Sequence, residues 1–240
     1  MSNTDELGFR PLYQQVRERL TQRIATGQWR AGDMVPSEIQ IANDLGVSQG
    51  TVRKALDDMT AANLLIRRQG KGTFVATHDE SRILFQFFKL KLDSGAQIFP
   101  ESDVLSAVIA DAGPEERTKL DLPSGARVIR IRRSRSLQGR RVIIETVVVS
   151  AAMFSGLESS DIPNNLYDTY ARQFGVTISG GEESLKAVLA SQEEAQLLGL
   201  APSAPLLQID RVATGLDGRP VEWRLSLCHT SNVQYVTSLK

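Results

Sequence analysis

Apolar positions in the first sixty residues fall at helical spacing. Leu12, Val16, Leu20 and Ile24 recur every four residues, which predicts an amphipathic helix over about residues 11–26. Pro11 suits its first turn and Gly27 its stop. Ser37, with Gln40 three residues later, is an S-x-x-Q capping box that opens a second, short helix. Ile41, Ala42 and Leu45 form its inner side, and Gly46 ends it. Ser48 is the next N-cap. The helix it starts has Val52, Ala55, Leu56 and Met59 at i, i+3, i+4 and i+7, which leaves Gln49, Gly50, Arg53, Lys54 and Asp57 on the wet side. Residues 64–68 and 73–75 are β-prone and flank Gln69-Gly70-Lys71-Gly72, a hairpin pattern. The polar stretch 77–82 reads as a linker between a first domain, 1–76, and a second, 83–240.

In the second part the dominant period changes to two, and the chain repeats itself. Leu120-Asp121-Leu122 through Arg133 to Gly139-Arg140-Arg141-Val142 is echoed by Leu198-Gly199-Leu200 through Arg211 to Gly218-Arg219-Pro220-Val221. The offset is 78 residues and becomes 79 after one insertion in the turn. The copies predict two similar hairpins in one antiparallel sheet, with helices at about 166–174 and 193–198 packed on it. Ser191 with Glu194 is a further capping box. Strand parity puts Arg133 and Arg135 on the face of Ile129, Ile131 and Leu137. It puts Glu145 with Ile143, Val147 and Val149, and Arg211 with Leu207 and Ile209. Charges on an apolar face must be paired, reach water or line a cavity, because an unpaired buried charge costs several kcal/mol. Parity alone leaves open whether these are a register-setting ion pair or a binding site.

Composition narrows the function classes. The 240 residues are 41% hydrophobic and 23% charged, enough for two globular domains. Lys plus Arg and Asp plus Glu balance at 28 each, so net charge points to no partner, and residues 1–76 carry only ten basic against eight acidic residues. The clustering of bases at the third helix and hairpin matters more. One cysteine, Cys228, excludes an internal disulfide framework and a multi-Cys zinc site, and two histidines exclude a histidine-rich metal centre. The polar start MSNTDELG lacks a signal-peptide pattern and no apolar run reaches membrane-span length, so the expected setting is the cytoplasm, without membrane contact.

A helix, a helix–Gly–helix and a hairpin together make a winged helix-turn-helix. A helix entering the major groove needs short polar and cationic residues at its N-terminal end, where free backbone N–H groups also face phosphate. Ser48, Gln49, Thr51 and Arg53 supply these. Arg53 suits guanine and Gln49 adenine, while Lys54 and Arg67 suit phosphates; Gly70 and Gly72 let the wing approach a groove with Lys71 at its tip. The strings Pro36-Ser37-Glu38, Leu45 through Leu56, and Arg68-Gln69-Gly70-Lys71-Gly72-Thr73-Phe74-Val75 resemble the turn, recognition helix and wing of GntR-type repressors. That resemblance implies double-stranded operator DNA as partner and contacts from Ser37, Glu38, Gly50 and Gln69 beside the residues above. Gln49 stands where many members carry Arg.

Residues 83–236 resemble the UTRA effector domain of the HutC branch, through Arg133-Ser134-Arg135, Gly139 to Glu145, Asn165-Leu166-Tyr167 and Gly218-Arg219-Pro220-Val221-Glu222. The implied fold class is α+β: the winged domain followed by a chorismate lyase-like α/β domain with an antiparallel sheet. The resemblance implies a small anionic effector, a phosphorylated sugar or another anion such as a carboxylate. Arg133, Arg135 and Asn165 would form the anion end, Glu145 and Glu222 would lie opposite, and Tyr167 and Cys228 would stand in the same site. Asn165 replaces a common serine and Cys228 a common tyrosine. Phe85, Phe87 and Phe88 read either as core or as an apolar wall of the site. A homodimer on a palindromic operator is expected from the family and from operator symmetry. The competing reading, a lyase fused to a DNA-binding module, lacks a nucleophile–base grouping, a metal cluster and a phosphate loop. No cofactor and no catalytic residue is expected. A GntR regulator with a helical metal-binding effector domain would need several histidines and a helix-rich C-terminal part.

Overall fold

The computed structural model describes residues 11–62, 64–77, 87–159 and 161–237, and the chain divides into units Met1–Thr77 and His78–Lys240. In the first unit α1 (Leu12–Ala25) buries Val16, Leu20 and Ile24. Leu12, the first residue of the stripe, stays 50% exposed, and Pro11 is the N-cap rather than part of the first turn. α2 (Glu38–Leu45) starts at the expected box: the Gln40 N–H donates to Ser37 Oγ at 3.3 Å and the Ser37 N–H to Gln40 Oε1 at 2.9 Å. Gly46 ends it at φ 66°, a left-handed conformation that favours glycine. α3 (Gln49–Ala61) is capped by Ser48, whose Oγ accepts from the Thr51 N–H, and buries Val52, Ala55, Leu56 and Met59. β1 (Leu65–Arg68) and β2 (Gly72–Val75) pair antiparallel, with Met34 bridging to Phe74 on the outer side of β2.

The second unit contains β3 (Leu90–Leu92), β4 (Glu101–Asp111), α4 (Pro114–Leu120), β5 (Arg127–Leu137) and β6 (Arg140–Ser150). It continues through α5 (Leu166–Phe174), β7 (Ile178–Leu189), α6 (Gln192–Leu198), β8 (Pro205–Gly215), β9 (Pro220–Cys228) and β10 (Val233–Tyr235). Six strands form one antiparallel sheet in the order β4-β5-β6-β9-β8-β7, and β3 with β10 forms a separate ribbon. That order is the repeat made visible. β4-α4-β5-β6 and β7-α6-β8-β9 are two copies that meet along β6–β9.

Each sheet face has its own cover. On one, Val128 and Val148 pack with Leu120 of α4, and Ile144 and Leu206 pack with Ala195 and Leu198 of α6. On the other, Ile129, Ile131, Val147 and Val149 pack under Leu166, Tyr167 and Tyr170 of α5. Further along that second face, Leu137, Ile143, Ile209 and Cys228 pack with Phe88, Leu90 and Val233 around the ribbon. The charges singled out by parity sit on this face, between the two apolar clusters. Neither cluster covers them, so a cavity remains there.

Candidate nucleic-acid interface and ligand cavity

The exposed edge of α3 is organised by one carboxylate. Glu38, at the start of α2, accepts through Oε2 from Arg53 Nε at 3.0 Å, Arg53 Nη2 at 2.9 Å and Gln49 Nε2 at 3.1 Å. Arg67 of the wing approaches its Oε1 at 3.8 Å and donates to Asp57 at 2.5 Å. The Arg53 hydrogen bonds hold the Glu38 carboxyl below its ordinary range, although partial burial opposes this. Arg53 remains 57% exposed. Its guanidinium is therefore oriented yet available. Ser48 and Thr51 share a hydrogen bond at 2.8 Å, and Lys54 lies 4.0 Å from the centre of the Tyr13 ring. At the wing, Gly70 (φ 69°) and Gly72 (φ 112°) adopt backbone conformations closed to most side chains, with Lys71 between them at the turn.

The cavity of the second unit has a volume of about 630 Å³ including its open mouth. Among the described residues its lining holds three guanidiniums, Arg135, Arg211 and Arg224, and the Lys89 ammonium, against one carboxylate, Glu145. Glu145 accepts from Arg133 Nε at 2.8 Å and also from its Nη2, and lies 3.6 Å from Arg224 and 3.9 Å from Arg135. Burial resists its ionisation, but these three cations outweigh burial and hold the carboxyl well below the usual range. Arg211 and Arg224 stand opposite each other across β8–β9, a like-charge pairing that needs anions nearby. Glu183 supplies one for Arg211. Glu222 supplies the other, accepting from Arg224 at 2.9 and 2.8 Å, from Tyr167 at 3.0 Å and from Tyr170 at 2.9 Å. Burial, reinforced by the Glu222 charge, pushes the Tyr167 phenol up to about 12.

Matches to known proteins follow the same division. Residues 12–75 match the model for bacterial regulatory proteins of the gntR family, and residues 96–234 match the UTRA domain model. The chain is also 33% identical over 205 residues to the histidine utilization repressor of Pseudomonas putida, covering 85% of this chain and 82% of that one. The chain belongs to the GntR family. This GntR regulator is 27% identical to the mannosyl-D-glycerate transport/metabolism system repressor of Escherichia coli, covering 95% of this chain and 96% of that one. Among solved structures, the ligand-binding domain of a GntR-family regulator from Bordetella bronchiseptica matches with TM-score 0.60 and 34% identity, covering 64% of this chain and 98% of that one. PhnF from Mycobacterium smegmatis matches with TM-score 0.57 and 25% identity, covering 94% and 99%. The chain is accordingly a DNA-binding transcriptional repressor whose UTRA domain answers to a metabolite, in a family of regulators rather than enzymes. No helix among the described residues is long and apolar enough to cross a membrane.

The GntR fold brings Ser37, Glu38, Ser48, Gln49, Gly50, Thr51, Arg53 and Lys54 together around the start of α3, with Arg67, Gln69, Gly70, Lys71 and Gly72 on the wing. In the UTRA unit, Arg135, Glu145, Asn165, Tyr167 and Cys228 line the cavity. Two expected lining residues do not. Arg133, 1% exposed, is turned behind the wall by Glu145 and the Asn164 carbonyl, and Glu222, 0% exposed, is enclosed by Arg224 and the two tyrosines. Asn165 lines the cavity while its side-chain oxygen caps α5, accepting from the Asp168 N–H at 3.3 Å. Its neighbour Asn164, which the sequence reading passed over, accepts from Arg135 at 3.3 Å. Arg224 and Ser226 were also missed. The parity rule applied to β9 finds both, since they lie two and four residues after Glu222. Phe87 and Phe88 stand on the cavity wall; Phe85 and linker residues 78–82 lie outside the described residues.

Proposed function

We propose that this GntR repressor acts as a homodimer whose two α3 helices read the halves of a palindromic operator, and that a small anion in the UTRA cavity releases it. The observation that carries the anionic effector is the cavity lining, which among the described residues sets three guanidiniums and the Lys89 ammonium against one carboxylate. The DNA side rests on Gln49 and Arg53, held by Glu38 in a fixed, outward arrangement. Relatives named for histidine utilization and for mannosyl-D-glycerate metabolism support control of genes for uptake or breakdown of a small compound. An anion that favours one arrangement of the two units by a few kcal/mol is enough to shift operator occupancy. The test is fluorescence anisotropy of the full chain on a duplex selected from a random pool, titrated with a panel of small anions. At least one should lower operator affinity tenfold or more; a panel without effect on affinity argues against the effector half of the proposal.

A further inference from the structure

Among the described residues of the first unit, three large apolar side chains stand out in solvent: Leu12 at 50%, Met34 at 63% and Ile39 at 59% exposure. Two have a place in the fold. Leu12 opens α1, and Met34 bridges to Phe74 of the wing with its methyl lying against Gly72. Ile39 is different. It is the second residue of α2, between Glu38 and Gln40. The first turn of a helix gains from capping side chains and from acidic residues, and Ser37, Gln40 and Glu38 already supply these. A β-branched apolar chain adds to neither, so the helix itself gives no reason for isoleucine here.

Two ion pairs fix the roll of α2. Glu38 reaches α3 through Arg53 and Gln49, and Asp44 reaches α1 through Arg23. At about 100° per residue, Ile39 points about 100° from Glu38 and about 140° from Asp44. It is thus turned away from α1 and out along the edge where the start of α2 meets the start of α3. A lone exposed isoleucine is ordinary on a protein surface. Beside base-reading residues it is desolvated with them on docking, and it gains only against an apolar partner. In the major groove the thymine 5-methyl is the one apolar group of the base-edge code; the others are donors and acceptors that Ile39 cannot answer. We propose that Ile39 is a specificity-determining residue that packs on a thymine 5-methyl in each operator half-site. It complements Gln49, because an A·T pair carries adenine N6 and N7 on one strand and the methyl on the other, so the two side chains can read one pair or neighbouring pairs. The assignment rests on the reading that the start of α3 enters the major groove.

The test removes one methyl from the DNA. Deoxyuridine in place of thymidine deletes the 5-methyl and keeps every hydrogen-bonding group of the base. The full-length protein is titrated by anisotropy with the selected duplex, a scrambled duplex, and copies of the selected duplex carrying deoxyuridine at one symmetry-related pair of thymines at a time. Burying one methyl is worth about fourfold in affinity, so one such copy should bind the wild type about fifteenfold more weakly over its two half-sites. Ile39→Ala should bind the unmodified duplex at least that weakly, and should lose less than about twofold more on the modified copy. Its thermal unfolding transition and the salt slope of its binding should match the wild type, because the side chain is exposed and touches no phosphate. A lowered transition would show that Ile39 packs within the unit, and counts against the proposal. Wild-type affinity in Ile39→Ala overturns it, as does a wild type indifferent to every replacement or a selected half-site without thymine. An Ile39→Ala protein that keeps the full deoxyuridine penalty also overturns it, since the methyl then belongs to another side chain such as Thr51. If the wild type shows no preference for the selected duplex over the scrambled one, the base-reading premise fails instead.

Discussion

Replacing Glu145 with Gln removes the carboxylate around which Arg133, Arg135 and Arg224 gather, and leaves all three guanidiniums buried without it. Breaking a buried pair from one side costs about 3–5 kcal/mol, because the abandoned charge stays out of water. For a unit of this size each kcal/mol lowers the melting temperature by roughly 2–4 °C, so the UTRA transition should fall by about 6–20 °C. The chain has two tryptophans, Trp29 in the first unit and Trp223 in the second. With Trp29→Phe as background, fluorescence reports the UTRA unit alone. The sign with pH follows from the lowered Glu145 pKa. Its contribution is present above the unfolded carboxyl pKa of about 4.3 and is lost as pH falls below it towards the depressed folded value. The wild type should therefore lose more of its stability between about pH 5 and pH 3 than Glu145→Gln does. An unchanged transition at pH 7, or identical acid profiles, refutes the reasoning.

Two further perturbations address the DNA-binding unit. Glu38→Gln releases Arg53 and Gln49 while removing a negative charge near the duplex, so non-specific affinity should rise and preference for the selected duplex over a scrambled one should fall, measured by anisotropy at fixed salt. Gly72→Ala should cost the first unit about 1 kcal/mol or more in urea denaturation, from its φ of 112° rather than from the flexible Met34 methyl that its Cβ would meet at 2.9 Å.

The helical elements of the first unit were legible because capping is local. Ser37 with Gln40, Gly46 and Ser48 set the ends of α2 and the start of α3 through contacts a few residues apart. The paired hairpins were legible from the repeat, and the buried charges from strand parity. The outer strands β4 and β7 were not, since edge strands expose both faces over much of their length and carry weak alternation. The ribbon of β3 and β10 joins three-residue strands from opposite ends of the unit, a pairing with no local signature. Parity placed Arg133 and Arg135 alike, yet only Arg135 faces the cavity. What separates them is a cross-strand partner: Arg133 stands directly opposite Glu145, and Arg135 opposite Ile143. Registers of that kind come from the folded sheet.

The claim most open to direct test is that the start of α3 reads bases. Anisotropy titrations of the wild type and Arg53→Ala against the selected duplex and a scrambled one, at two salt concentrations, measure it. Arg53→Ala should lose about 1–3 kcal/mol per half-site on the selected duplex and little on the scrambled one, while binding of both still weakens steeply with salt. A variant that keeps the wild-type preference between the two duplexes would contradict the account.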